Sequence, residues 1–379
     1  MESLVWEDRI LDHQEPSAPP RRALPVKAAT IRDVAQRATV SVASVSRVLN
    51  GAGPVAEATK LRVLEAVEAL QYVPHSGARS LSTSKTQTVG VILPDLYGEF
   101  FSELIRGLDV AAREHGYHLI VSSSHDDADE ASAAIRSMRG RVDGLIVLSP
   151  HLDAANLASS LAGRLPIVLM NGGPGEPGRP SIVVDNHGGA VTAVEHLLSL
   201  GRTRVAHIAG PAGNLEAEAR LAGYVEAMTR AGLTPTVIEG DFNQGSGHQA
   251  GALLMVGGSR PDAVFAANDM MAIGAMLAFQ EAGVRCPEDV AVIGFDDVPV
   301  AALVRPSLTT LRIRIAETGR GALNRLVGLI NGEAGADGPD EVVRPELVTR
   351  QSTDMAGASD RPVAATAPSP RDEVSQGGS

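Results

Sequence analysis

Residues 30–50 read Thr-Ile-Arg-Asp-Val-Ala-Gln-Arg-Ala-Thr-Val-Ser-Val-Ala-Ser-Val-Ser-Arg-Val-Leu-Asn, and this stretch predicts two short helices joined by a three-residue turn. Thr30 is placed to cap the first helix together with Asp33, because side chains at this spacing can satisfy free backbone N–H groups. Ser41 is placed in the same way to cap the second helix with Ser44. The stretch therefore predicts a compact helix pair.

Apolar residues recur in both predicted helices at intervals of three or four positions, which places them on one face of each helix. They are Ile31, Val34 and Ala35 in the first helix and Val45, Val48 and Leu49 in the second. Pairing these faces leaves Val42, Ala43, Ser46 and Arg47 on the outside of the second helix. Such a surface is typical of a recognition helix in the major groove of DNA.

Three motifs between residue 30 and about residue 83 resemble the DNA-binding headpiece of the lactose-repressor family. They are Thr-Ile-Arg-Asp-Val-Ala at 30–35, Val-Ser-x-x-Ser-Val-Ser-Arg-Val-Leu-Asn at 40–50, and Tyr72-x-Pro74 followed by Ala78-Arg79-Ser80-Leu81. One helix pair alone would also fit a small bundle whose serines and arginines are merely solvated. Three motifs in this order favour the headpiece, and with it a DNA-binding regulator.

The resemblance implies DNA contacts for ten residues. They are Thr30, Ser41, Val42, Ala43, Ser44, Ser46, Arg47, Asn50, Ala78 and Leu81. Arg47 can pair with a guanine edge, whereas Val42 and Ala43 offer apolar contact to a thymine methyl. Leu81 stands where the family carries the leucine that inserts into the minor groove. The serines have helix capping or solvation as alternative roles, and Leu81 has packing against the effector domain.

Two residues depart from the family pattern. Thr39 occupies a turn position where the family usually has glycine, which is unfavourable if the backbone there is left-handed. Gly77 lies in the linker and weakens a helix there by about 1 kcal/mol relative to alanine. The linker of this chain is therefore expected to form a helix on DNA less readily than the linkers of the family.

The charge of the chain is unevenly distributed. Residues 27–85 carry eight basic and four acidic side chains, a balance of +4, so the rest of this chain of net charge −12 carries −16. Attraction for DNA should therefore be confined to the headpiece and weaken steeply with salt.

Several classes of protein are disfavoured by the sequence. No run of 18 apolar residues and no secretory signal is present, so we expect a cytoplasmic protein with no membrane partner. The single cysteine, Cys286, fits a reducing compartment. His115, His118 and His125 lack the spacing of a metal site, and the glycine-rich residues 171–178 lack the signature of a phosphate-binding loop. We expect no metal, cofactor or catalytic residue.

From Thr88 onward, predicted buried strands alternate with amphipathic helices, which indicates parallel sheets covered by helices. The strands are predicted at 89–93, 118–121, 144–148, 167–170, 182–184, 205–209, 236–239, 263–266 and 290–293. Two such series predict two lobes with a cleft between them, resembling the periplasmic sugar-binding-protein fold of this repressor family. By resemblance, the chain crosses between the lobes near Asp185, Arg312 and Val343.

The predicted fold class is α/β, with a small all-α helix-turn-helix headpiece and a two-lobed, doubly wound effector domain. The boundaries are a disordered extension at 1–26, the DNA-binding domain at 27–74, a hinge linker at 75–87, the effector and dimerisation domain at 88–354, and a disordered tail at 355–379. Within the headpiece, a third helix is predicted at 57–70, with Leu61, Leu64 and Leu70 facing inward.

Polar and aromatic residues follow several predicted strands, and the carboxyl ends of parallel strands are where such folds bind ligands. A polyhydroxy ligand needs hydrogen-bonding side chains and an aromatic plate. By resemblance to the family's effector-contact motifs, the candidates are Asp95, Phe100, Asn171, Arg220, Phe242, Asn268 and Asp296. As alternatives to ligand contact, Arg220 could pair with Glu216 on the surface and Phe242 could lie in the core. Asp269 is expected to cap the helix that begins at Met270.

These features predict a sugar-responsive repressor that binds double-stranded operator DNA as a homodimer. A ligand bridging the lobes would change the spacing of the two linkers and so the affinity for DNA. One alternative is a regulator controlled by a purine or by a phosphorylated partner protein. Another is a transport-type solute-binding protein, which shares the cleft but would need an export signal and would not need residues 30–83.

Overall fold

The computed structural model describes residues 29–51, 53–72, 85–125, 127–148, 165–170, 180–256 and 260–354. The described residues fall into two compact units, with the boundary between Ser82 and Thr83. The first unit is all-α and the second is α/β, so the predicted fold class is confirmed. Ala78, Leu81 and Asn171, together with the predicted tails, lie outside the described residues.

The described part of the first unit contains three helices: α1 (Ile31–Ala38), α2 (Val42–Asn50) and α3 (Glu57–Ala69). Thr30 and Asp33 form the predicted capping box, and the Ser41 side chain accepts the N–H of Ser44. Thr39 is left-handed, with φ 54° and ψ 49°, and its N–H closes the end of α1. The turn therefore forms despite its missing glycine.

The buried face of α3 differs from the prediction. Val63 and Ala66 are buried, whereas Leu61 and Leu64 are 54% and 45% exposed. Leu70, which follows the helix, is half-buried and packs on the headpiece core. The prediction gave weight to the largest apolar side chains, but α3 packs against the small, alanine-rich face of α1. Smaller side chains allow these short helices to approach closely.

The second unit contains two parallel sheets in its described part. The first has the order β11-β5-β4-β3-β1-β2, formed by Thr88–Leu93 (β1), His118–Ser123 (β2), Gly144–Leu148 (β3), Ile167–Met170 (β4), Ser181–Val184 (β5) and Glu341–Val343 (β11). The second has the order β7-β6-β8-β9, formed by Val205–Ala209 (β6), Thr236–Glu239 (β7), Ala263–Ala266 (β8) and Ala291–Ile293 (β9). Each sheet forms one lobe.

Helices cover both sheets. Those of the first lobe are α4 (Glu99–Glu114), α5 (Ala128–Met138) and α10 (Ile315–Asn331). Those of the second lobe are α6 (Asn186–Ser199), α7 (Leu215–Arg230), α8 (Gln244–Val256), α9 (Asp269–Glu281) and the short 3-10 helix Pro299–Ala302. None of the helices in the described residues is both long and apolar enough to span a bilayer.

The chain passes between the lobes three times, after Val184, after Arg312 and after Val343, as predicted. The second and third crossings are joined by an antiparallel pair, β10 (Thr310–Arg312) and β12 (Glu346–Val348). The first and third are tied where Asp185 donates its N–H to the carbonyl of Val343 at 2.9 Å. Three linked segments therefore connect the lobes.

Candidate functional site

A cavity of about 960 Å³ lies between the two lobes. Six of the seven predicted effector residues line it, and the seventh, Asn171, lies outside the described residues. The six are Asp95, Phe100, Arg220, Phe242, Asn268 and Asp296. They meet because each follows the carboxyl end of a strand or lies on the helix after that strand, and the carboxyl ends of strands from both sheets border the cavity.

Arg220, on α7, is held by protein partners on several sides. Its Nε donates to Asn186 Oδ1 at 2.8 Å and its Nη1 to the carbonyl of Ala267 at 2.5 Å. Its Nη2 lies 3.5 Å from Asp296 Oδ1, and the guanidinium stands 3.8 Å over the ring of Phe295. Because Arg220 is only 3% exposed, the alternative of a surface pairing is wrong. The side chain is a fixed, buried cation.

Asp296, which follows β9, is a buried carboxyl group with an unusual environment. Burial raises its pKa to about 7, although Arg220 works in the opposite direction and Glu216 adds a smaller raising effect. Within the described chain, its Oδ1 accepts no hydrogen bond. Its backbone has φ 108°. A buried acceptor without a donor is costly, and Asp296 lines the cavity, so this carboxyl group suits a ligand that brings an O–H or N–H group.

Asn268, not Asp269, caps α9, so the predicted cap is wrong. The Asn268 side chain accepts the N–H of Met271, while Asp269 turns into the core and accepts the Thr310 hydroxyl and the Val298 N–H. Burial raises the pKa of Asp269 well above its usual range. Since Asn268 leaves the strand in an extended conformation, it reaches the cap position one residue before the expected one.

The Asn268 amide also supports the aromatic wall of the cavity. Its Nδ2 donates to the carbonyl of Phe242 at 2.9 Å. Phe242 is half-buried and has φ 69°, and its ring packs on Gly210, where a Cβ atom would lie 2.5 Å from the ring. Phe242 thus faces the cavity at the edge of the core. Phe100, on α4, forms an edge-to-face pair with Phe101.

Sequence reasoning missed several polar residues of the lining. They include Tyr97, Glu99, Asn214, Glu216, Asp241, Asn243, Gln244 and His248. Asp241 and Asn243 lie two and four residues after the end of β7, so the strand-end rule could have found them. Glu99 had no such signal: its Oε2 accepts the N–H of Val300, on the other lobe, at 3.2 Å. Among the described residues, no group of His, Cys, Asp and Glu could hold a metal ion.

The first unit presents the predicted surface of α2 at Val42, Ala43 and Arg47, whereas Ser46, which was also expected on the outside, is half-buried. Ser41, Val42, Ala43 and Arg47 are exposed, and Val42 retains 41% of its accessible surface. The hydroxyls of Thr30 and Ser41 cap their helices as predicted, and for Ser41 capping was also an alternative to DNA contact. The Ser41 and Ser44 hydroxyls lie 3.0 Å apart, and Asn50 Nδ2 donates to Ser46 Oγ at 3.2 Å.

Comparisons with known proteins agree with this architecture. Residues 30–75 match the model for bacterial regulatory proteins of the lacI family, and residues 194–353 match that for the periplasmic binding protein-like domain. The HTH-type transcriptional repressor PurR of Aliivibrio salmonicida is 34% identical over 329 residues, covering 86% of this chain and 98% of the relative.

Two solved structures extend the comparison. The lac repressor dimer bound to operator and the anti-inducer ONPF is 31% identical, with a TM-score of 0.76, over 86% of this chain and 99% of the other. The complex of the transcriptional regulator CelR with cellobiose is 32% identical, with a TM-score of 0.62, over 86% and 99%.

A helix-turn-helix unit followed by a two-lobed cleft defines a DNA-binding transcriptional regulator. The sequence identity extends over both parts of the chain. The chain belongs to the LacI family of bacterial regulatory proteins.

Proposed function

We propose that this protein is a cytoplasmic repressor, without catalytic activity, that binds a two-fold related operator as a homodimer and responds to an uncharged sugar. The observation that carries the proposal is the interlobe cavity, which is lined by the fixed cation of Arg220 and, 3.5 Å from it, by the Asp296 carboxyl group. Two relatives support it: a lac repressor structure is a dimer bound to operator, and a CelR structure contains cellobiose.

The charge of the cavity favours an uncharged ligand. Its described lining contains five carboxyl groups, those of Asp95, Glu99, Glu216, Asp241 and Asp296. Arg220 is engaged by protein partners, and His248 bonds to Glu281 at 2.8 Å. A phosphorylated ligand would add negative charge to this field, which Coulomb repulsion disfavours. Sugar hydroxyls can donate hydrogen bonds to the carboxylates.

We assign operator contact to the exposed surface of α2. Arg47 is the side chain there with a fixed charge and several donors, so it would carry the polar base reading, with Val42 and Ala43 beside it. The neighbouring hydroxyls and Asn50 would contact phosphates, which position the headpiece without reading sequence. Leu81 keeps its predicted minor-groove role, and Ala78 its predicted DNA contact, as part of this proposal.

Titration of the full-length protein against a ligand panel tests the function. Duplex DNA is first selected by the protein from a randomised pool, and binding heats are then measured for neutral mono- and disaccharides, glucose 6-phosphate and hypoxanthine. We expect a palindromic duplex, binding of a neutral sugar, and a changed duplex affinity in that sugar. Failure to select a palindrome would reject the repressor. Preferential binding of hypoxanthine or the phosphate would reject the sugar.

The affinity for the neutral sugar is expected to rise roughly tenfold between about pH 6 and pH 8. The Asp296 carboxyl, whose pKa is raised to about 7, is ionised above that pH and takes up a proton as the pH falls through it. The ionised form is the stronger acceptor for a ligand hydroxyl. Calorimetry across this range measures the effect, and Asp296→Asn should bind weakly at every pH. An unchanged pH profile in this variant would remove Asp296 from the site.

A further inference from the structure

The first lobe holds the start of its first strand with a carboxylate. Asp143, directly before β3, accepts the N–H of Thr86 at 2.6 Å, the hydroxyl of Thr86 at 2.8 Å and the N–H of Gln87 at 2.9 Å. The Asp143 N–H in turn donates to the carbonyl of Thr88 at 2.8 Å. Gln87 adopts the left-handed region, with φ 52°. The carboxylate therefore holds a backbone conformation that glutamine rarely adopts.

The second lobe repeats this arrangement. Asp262, directly before β8, accepts the N–H of Thr203 at 3.2 Å and the N–H of Arg204 at 2.9 Å. Its own N–H donates to the carbonyl of Arg204 at 3.1 Å. As β3 pairs with β1, so β8 pairs with β6, in parallel. Each lobe thus uses one aspartate to fix the two residues that lead into its first strand.

The two arrangements differ in what precedes them along the chain. Residues 203 and 204 follow α6, which is part of the same unit. Residues 86 and 87 lie at the point where the chain coming from the DNA-binding unit enters the effector unit. Lys85, just before them, donates from Nζ to Asn331 Oδ1 on α10 at 3.4 Å. The Asp143 carboxylate therefore holds the segment that joins the first lobe covalently to the DNA-binding unit.

We propose that Asp143 is a positioning residue that fixes the direction in which the linker leaves the effector unit, and so sets the half-site spacing that the dimer accepts. This inference rests on the proposed function, because it requires two headpieces on one operator. Hydrogen bonds to a carboxylate are stronger than those between neutral groups. Without the bonds to Asp143, residues 85–87 can leave the effector unit in more directions. The effective concentration of the second headpiece at its half-site then falls.

The test measures how strictly the full-length protein reads half-site spacing. Affinities are compared between the duplex that the wild-type protein selects and the same duplex with one added central base pair. The spacing ratio is the dissociation constant for the lengthened duplex divided by that for the selected duplex. It should fall roughly two- to thirty-fold in Asp143→Ala, the range of coupling that single residues carry. Asp143→Asn keeps one acceptor oxygen, so its spacing ratio should lie between those of the wild-type protein and Asp143→Ala. This variant replaces the alanine variant in the test if the latter does not fold.

Asp262→Ala is the matched control. It removes the equivalent hydrogen bonds to the N–H groups of Thr203 and Arg204 in the second lobe, together with an ion pair to Arg204. It should lower the melting temperature at least as much as Asp143→Ala and leave the spacing ratio unchanged. The inference is overturned if both Asp143 variants keep the wild-type ratio, or if Asp262→Ala lowers the ratio equally. Failure of the wild-type protein to select any palindrome would instead refute the proposed function.

Discussion

Arg47→Ala is expected to remove most of the operator specificity and to leave the ligand site intact. Arg47 is exposed on α2, and its neighbours Val42 and Ala43 offer no polar group to a base edge. Loss of a bidentate pair with guanine costs roughly 1 to 3 kcal/mol, about 5- to 150-fold in affinity. Fluorescence anisotropy with the selected duplex and with a scrambled duplex of equal length measures the specificity ratio.

Arg62→Ala is the control for charge. It removes the same positive charge from an exposed position on α3, so it should weaken binding to both duplexes by a similar factor. Only Arg47→Ala should bring the two affinities together. Equal specificity ratios in the wild-type protein and in Arg47→Ala would place base reading elsewhere in the headpiece.

Arg220→Lys is expected to abolish the response to sugar while preserving operator binding. Lysine keeps the charge but lacks the planar guanidinium that bonds to Asn186 and Ala267 and lies over Phe295. Without these partners the side chain no longer lies where it lines the cavity, and loss of one hydrogen bond from the guanidinium to a sugar hydroxyl costs about 1.5 to 3 kcal/mol, roughly 10- to 150-fold in sugar affinity. Calorimetry measures this affinity, and anisotropy with the selected duplex measures operator binding.

Arg325→Lys is the matched control for the arginine substitution. Arg325 also bonds to backbone carbonyls, those of Ala336, Gly338 and Pro339, but it does not line the cavity. Its replacement should affect the melting temperature without changing the sugar affinity. A wild-type sugar response in Arg220→Lys would exclude Arg220 from ligand binding, whereas a loss in both variants would indicate a general loss of stability.

The sequence anticipated much of the candidate site, because the strand-end rule depends on few facts. Once strands are located, the carboxyl ends of the parallel strands of one sheet must share an edge, so Asn268 and Asp296, which follow β8 and β9, can be placed near each other. Their ligand role stays a prediction, as do the domain boundaries. The predictions for the buried face of α3 and for the cap of α9 were wrong, because each depended on a choice between neighbouring residues. The packing of the folded chain decides which of those residues is buried or caps the helix. Periodicity and capping preference alone do not decide between them.

The sequence by itself determined the capped helices of the headpiece, the first nine strands of the effector unit in their order along the chain, and the regulator family, but it did not predict β10, β11 or β12. The features that it determined depend on hydrogen bonds within three or four residues and on the period of apolar side chains, both of which are local. Only the tertiary structure decided which residues bond to Arg220 and that Glu99 bonds to Val300 of the other lobe. It also decided that Asp143 bonds to residues 86 and 87, where the linker enters the effector unit. Those contacts join residues 34 to 201 positions apart, and their energies depend on burial that no local pattern fixes.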